Sequence, residues 1–148
     1  MNVEQVIKTE KKLPLGTRTI IHLTLVHNKI NEKVTSALKP FELSEQQFNV
    51  LRILRGQKGN PANLSTINER MVTKMSNTTR LVDKLILKDY VRRTICAENR
   101  RKVEIFITDK GLKALSTLDD VMENTEQQLL QHLDENELKT LNQLLDKF

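Results

Sequence analysis

A chain of 148 residues, 38% apolar and 3% aromatic with no Trp and one Tyr, has room for one buried core, and that core must be built from Leu, Ile and Val. No apolar run approaches the roughly 20 residues that span a bilayer. The opening "MNVEQVIKTEKK" has no apolar signal region, and a single cysteine excludes an internal disulfide, so a soluble cytoplasmic protein is expected. The formal charge of +5 is unevenly spread: residues 1–40 hold seven Lys/Arg against three Asp/Glu, residues 41–113 fifteen against eight, and residues 114–148 two against eight. A basic middle beside an acidic tail suggests a surface for a polyanion, with an unevenly charged solvated surface as the blander alternative.

In chain order, a short segment to about Lys12 precedes Pro14, which suits a first helical turn. Ile20, Leu23, Val26/His27, Ile30, Val34 and Leu38 then recur at helical period until Pro40. That face is too apolar for a solitary surface helix. "FELSEQQFNVLRIL" follows, with Ser44 and Gln47 at capping-box spacing and Phe48, Leu51 and Leu54 as a buried stripe. Gly56, Gly59 and Pro61 punctuate its end. A third helix is expected from Asn63 to about Val72, with Leu64, Ile67 and Met71 inward, and a fourth from the polar run "SNTT" to about Lys88. Only "TKM" separates them, which forces the sharp corner of a helix-turn-helix.

The fourth helix has two faces. Leu81, Val82, Leu85 and Ile86 share one and should pack against Ile67, Met71 and the following strands. Ser76, Asn77, Arg80 and Lys84 share the other. A helix end with small polar side chains can approach base edges in a major groove about 12 Å wide, where Asn pairs with adenine and Arg reaches guanine or phosphate. The alternative for single residues is local: Ser76 and Thr79 as caps or back-bonded groups, Arg80 and Lys84 as ordinary surface charges. Beyond Tyr90 the period changes to alternation, and "YVRRTIC" and "KVEIFIT" read as strands joined by "AENRR", a hairpin with a basic tip. Thr108 caps a long helix to about His132, and Asp134 with Glu137 caps a last helix to about Lys147.

The order of these elements, with "LSEQQFNVLRIL", "SNTTRLVDKLILKDYVRR" and "ENRRKVEIFITDKG" across most of residues 43–111, resembles the MarR family of winged helix-turn-helix regulators. The fold class is thus mainly α with a small two- or three-stranded β wing: one domain over residues 1–148, with dimerisation helices at 1–40 and 114–148 around a DNA-binding lobe at 41–113. The resemblance implies a homodimeric, sequence-specific transcriptional regulator. It would be a ligand-responsive repressor that reads consecutive major grooves of a near-palindromic, double-stranded operator. It places Ser76, Asn77, Thr78 and Arg80 on the DNA-reading helix, with Lys84 beyond them, and Asn99, Arg100, Arg101 and Lys102 on the wing that enters the minor groove. Where the family often has an acidic residue before the paired arginines, this chain has Asn99, which leaves the arginines without that ion-pairing partner.

Dimerisation is also expected from the residues themselves. Leu138, Leu141, Leu145 and Phe148 add to the face of the first long helix more apolar surface than a small motif can cover. An all-intramolecular bundle is the alternative. Effectors in the family, aromatic acids or phenols, bind between the dimer helices and the lobe, and Leu15, Ile20, His22 and Phe48 stand where such a pocket is expected. Catalysis has no apparatus: no phosphate loop is present, His22, His27 and His132 are scattered, and no metal-ligand or cofactor motif occurs. Cys96 reads as a half-buried structural thiol; thiol-sensing members carry theirs near the start of the first long helix. A winged module that uses its basic face for an acidic protein or RNA is the reading from another class.

Overall fold

The computed structural model describes residues 1–74, 77–96, 99 and 103–148. Its helices are α1 (Val3–Val6), α2 (Leu15–Leu38), α3 (Glu45–Arg55), α4 (Leu64–Arg70), α5 (Thr78–Leu87), α6 (Asp109–Leu130) and α7 (Glu135–Leu145), with a 3-10 turn at Lys39–Phe41 and strands β1 (Val91–Ile95) and β2 (Val103–Ile107). No described helix is long and apolar enough to cross a membrane.

Local chemistry explains most of the boundaries. Ser44 and Gln47 close a reciprocal capping box on α3, and Asp134 and Glu137 do the same on α7. Asn63, Asn77 and Thr108 cap α4, α5 and α6 through their side-chain oxygens. Pro14 stands one residue earlier than expected, as the residue before the first turn of α2. Helix α4 ends at Arg70 and not near Val72, because Met71 is already extended while its side chain stays in the core. The first residues show no helical periodicity. Asn2 nevertheless caps α1, Val3 is 0% exposed, and the Glu4 carboxylate takes both of its short contacts from the Arg18 guanidinium. The Glu4 carboxyl is held below its usual range, first by a hydrogen bond from its own backbone and then by Arg18.

The core lies in the middle of the chain. Val50, Leu51 and Leu54 of α3, Ile67 of α4, Val82 and Leu85 of α5, Val91 and Ile105 of the hairpin, and Leu115 and Leu118 of α6 form one buried cluster. Each such side chain contributes about 1.5–3 kcal/mol by leaving water. The hairpin is antiparallel, with Val91 opposite Ile107, Arg93 opposite Ile105 and Ile95 opposite Val103; Val91 and Ile105 enter the core, while Ile95 is 67% exposed. Ala62, just before α4, forms a bridge to Ile105 through two hydrogen bonds of 2.9 and 2.8 Å, so the hairpin gains a one-residue third edge.

Only the C-terminal part of α2 enters this core, through Val34 and Leu38, and α7 contributes no buried residue. Arg55 of α3 joins Asp119 of α6 through both terminal guanidinium nitrogens, tying the lobe to the long helix. That hydrogen bond pushes the Arg55 guanidinium still further up.

Candidate nucleic-acid interface

The corner between α4 and α5 presents polar groups outward. It is built from below: Ile67, Val82 and Leu85 are fully buried, and Leu64, Leu81 and Ile86 pack partly against them. The apolar face of α5 is therefore consumed, and the period of 3.6 forces Asn77, Arg80 and Lys84 to the exposed side. Ser76 lies outside the described residues.

Two residues of the expected reading set carry structural duties. Asn77 Oδ1 accepts the Arg80 backbone N–H at 3.1 Å and so caps α5. Thr78 is only 8% exposed, and its hydroxyl donates to Asn68 Oδ1 of α4 at 3.2 Å. Thr78 stands on α5, the helix the resemblance assigns it to, but on the side turned to α4. As first residue of the helix it turns toward α4, and its hydroxyl pins the two helices together.

The charges on the outer face are arranged by a contact the sequence did not suggest. Asp83 sits three residues from Arg80 and would neutralise it on an isolated helix. Instead Asp83 Oδ1 accepts from Arg93 of β1 at 3.0 Å. The pair fastens the wing to α5 and leaves the Arg80 and Lys84 side chains without an acidic partner among the described residues. On the outward face of the hairpin the Arg92 guanidinium stacks 4.1 Å over the Phe106 ring, directly across the strand pair. Asn99 is exposed; Arg100, Arg101 and Lys102 lie outside the described residues.

Beside the N-terminus of α5, a shallow cleft is lined by Leu64, Ser65, Asn68, Lys74, Asn77, Thr78 and Thr79. Asn68, Lys74 and Arg93 join this surface without having been expected from the sequence. Only one signal pointed to Asn68: it follows the inward Ile67 by one position, 100° around the helix.

The expected effector residues are not gathered into one surface. Phe48 is 5% exposed within the core, whereas Leu15 and Ile20 are 81% and 58% exposed and His22 is half-buried. The apolar period of α3 is what places Phe48, and it assigns the ring to packing. The four residues expected to pair two copies are accessible in the single chain: Leu138 is half-buried, Leu141 and Leu145 are exposed, and Phe148 is 86% exposed.

The cap at Asn77 makes a substitution there ambiguous unless two are compared. Asn77→Ala is expected to cost about 1 kcal/mol of stability through the lost cap. Ser caps as well as Asn, so Asn77→Ser should melt with the wild type while losing reach to a base edge. If Asn77 reads a base, both variants lose discrimination at one operator position by about 1–3 kcal/mol. Unaltered base preference for Asn77→Ser, read by competition between single-position operator variants, would reduce the residue to a cap.

Comparisons with known proteins agree with this geometry. The model of the MarR family matches residues 43–103. An uncharacterized HTH-type transcriptional regulator of Bacillus subtilis, YpoP, is 32% identical over 90 residues, covering 61% of this chain and 59% of its own length; the chain thus spans less than two thirds of that relative. The crystal structure of a MarR transcription factor from Planctomyces limnophilus superposes with a TM-score of 0.72 at 31% identity, covering 93% of this chain and all of that one (100%). The fold is also shared, with a TM-score of 0.76 at 23% identity over 90% of this chain and 93% of the other, with an E. coli MarR variant crystallised in complex with operator DNA. The inward Val82 and Leu85, the wing fastened to α5 and the match to the P. limnophilus protein along its full length lead to one assignment: the chain belongs to the MarR family of winged helix-turn-helix transcriptional regulators.

Proposed function

We propose that this protein binds double-stranded DNA sequence-specifically as a symmetric homodimer and represses transcription until a small ligand alters the spacing of its recognition helices. The observation that carries the DNA-binding part is the division of α5: an apolar face held in the core and an outer face whose cations, Arg80 and Lys84, are left unneutralised because Asp83 pairs with Arg93. In this reading α5 enters the major groove, the hairpin follows the adjacent backbone, and Arg100 and Arg101 act at the wing tip. The E. coli MarR fold, which carries operator DNA in its own crystal structure, supports the docking mode.

The dimer follows from unpartnered apolar surface. Ile20, Val26 and Ile30 on α2 and Leu141, Leu144 and Leu145 on α7 are all exposed in one chain. Residues 1–40 and 114–148 then pair two copies around lobes at 41–113. A symmetric pair presents two copies of α5 about 34–36 Å apart, one turn of the duplex. Sedimentation at micromolar concentration should give a dimer, and Leu141→Glu with Leu145→Glu should shift it to monomer and remove operator binding with it. A wild-type monomer under those conditions would overturn this arrangement. A salt series separates operator recognition from a basic face used for RNA or an acidic protein. Affinity should fall steeply with salt while a large ratio of specific to nonspecific binding persists.

A further inference from the structure

The cleft beside α5 is lined on its polar side by groups that divide into committed and uncommitted donors. Ser65 is committed, because its hydroxyl donates to Glu69 Oε1 at 3.0 Å. Asn77 is committed as the cap of α5. Thr78 donates to Asn68 Oδ1, and that bond has a consequence for Asn68. With the carbonyl end of the amide fixed toward Thr78, the Nδ2 group and its two N–H bonds are left at the cleft wall. Among the described residues nothing accepts from Nδ2. Lys74 is likewise outside every ion pair among those residues, and no acidic side chain lines the cleft. The Thr79 hydroxyl completes the rim.

An amide, an ammonium and a hydroxyl around a concavity without a carboxylate match the acceptor oxygens of a phosphate diester. The position favours the backbone of a duplex. The cleft opens at the same end of α5 as the exposed Asn77 and Arg80, so a strand passing that helix end runs along it. We propose that Asn68, Lys74 and Thr79 hold one backbone phosphate of the bound DNA, with Thr78 as the positioning residue that orients the Asn68 amide. This rests on the DNA-binding reading above and adds a contact from α4 and the connecting turn to those from α5 and the wing.

The experiment measures anisotropy of two labelled duplexes, one selected by the wild-type protein and one of random sequence and equal length, from about 50 to 200 mM salt. Asn68→Asp should weaken both by about tenfold or more, since it sets a negative charge against a phosphate. Asn68→Ala and Thr78→Val should weaken both by smaller, matching factors, and Lys74→Gln should lower the salt slope by about one. Unchanged binding of both duplexes by all four variants would overturn the site. So would a loss on the selected duplex alone with a lowered melting temperature, the result expected if Asn68 only braces the corner. Titration of the wild type with inorganic phosphate should leave the Asn68 side-chain amide resonances in place; saturable shifts would assign the cleft to a free anion and overturn the duplex contact. If the wild type bound neither duplex, the DNA-binding reading itself would fail, an outcome distinct from variants that bind normally.

Discussion

Replacing Arg80 and Lys84 together with glutamine is expected to weaken operator binding by about a hundredfold at constant fold stability. Each side chain is exposed and free of an acidic partner among the described residues, so the substitution removes no intramolecular contact, and surface changes of this kind move stability by about 0.5 kcal/mol or less. Each cation on a phosphate or base edge is worth about 1–3 kcal/mol in the complex, or roughly tenfold at the lower part of that range. The salt slope should fall by about two if both reach phosphates and by about one if Arg80 reads a base. Asp83→Asn provides the complementary result: Arg93 loses its partner, the wing loosens from α5, and the loss falls on specific binding. Wild-type affinity for the double glutamine variant would contradict the placement of α5 in the groove.

The largest effect on stability is expected at Gly111. Its need for glycine is one of space, not of backbone conformation: a Cβ there would stand 2.2 Å from the Tyr90 carbonyl oxygen and 2.9 Å from Ile107 Cγ1. The Tyr90 oxygen cannot retreat without cost, because it accepts the Thr108 N–H at 3.0 Å while the Thr108 hydroxyl donates to the Asp89 carbonyl at 2.6 Å. These bonds join the corner after α5, where Asp89 has φ 58°, to the first turn of α6. Gly111→Ala should therefore cost about 3 kcal/mol, the upper part of the range for overpacking, and lower the melting temperature by roughly 6–12 °C. Gly16, in the first turn of α2, has nothing within 4 Å of its Cβ position, so Gly16→Ala should be neutral or stabilising by up to about 1 kcal/mol. Equal melting temperatures for Gly111→Ala and the wild type would show that the joint is not close-packed.

The contrast between these two glycines marks what sequence can carry. Both lie in helices; what separates them is chiefly the approach of the Tyr90 backbone, twenty-one residues away in sequence, with the Ile107 side chain beside it. Features set by neighbours a turn apart were legible: the caps at Ser44, Thr108 and Asp134, the inward Val82 and Leu85, and the alternating hairpin. Features set by tertiary partners were not. Asn68 acquires its orientation from Thr78, and Asp83 is drawn from Arg80 by Arg93, both across ten positions. The side on which Thr78 lies was not legible either, because the first residue of a helix belongs to either face until its neighbour, here Asn68, is known. Phe48 is expected both in the core and at a ligand pocket, and its burial at 5% exposure places its ring in the core. The residues of α1 escaped because four residues show no periodicity, and their order comes from the buried Val3 and the Glu4–Arg18 pair.

Selection of bound fragments from a random duplex library, followed by sequencing, tests the central claim most directly. The predicted result is one enriched near-palindrome whose half-sites are about 10 base pairs apart centre to centre, the spacing of two α5 helices in a symmetric dimer on one face of the duplex. Recovery of no consensus, with retention set by fragment length and salt alone, would contradict it.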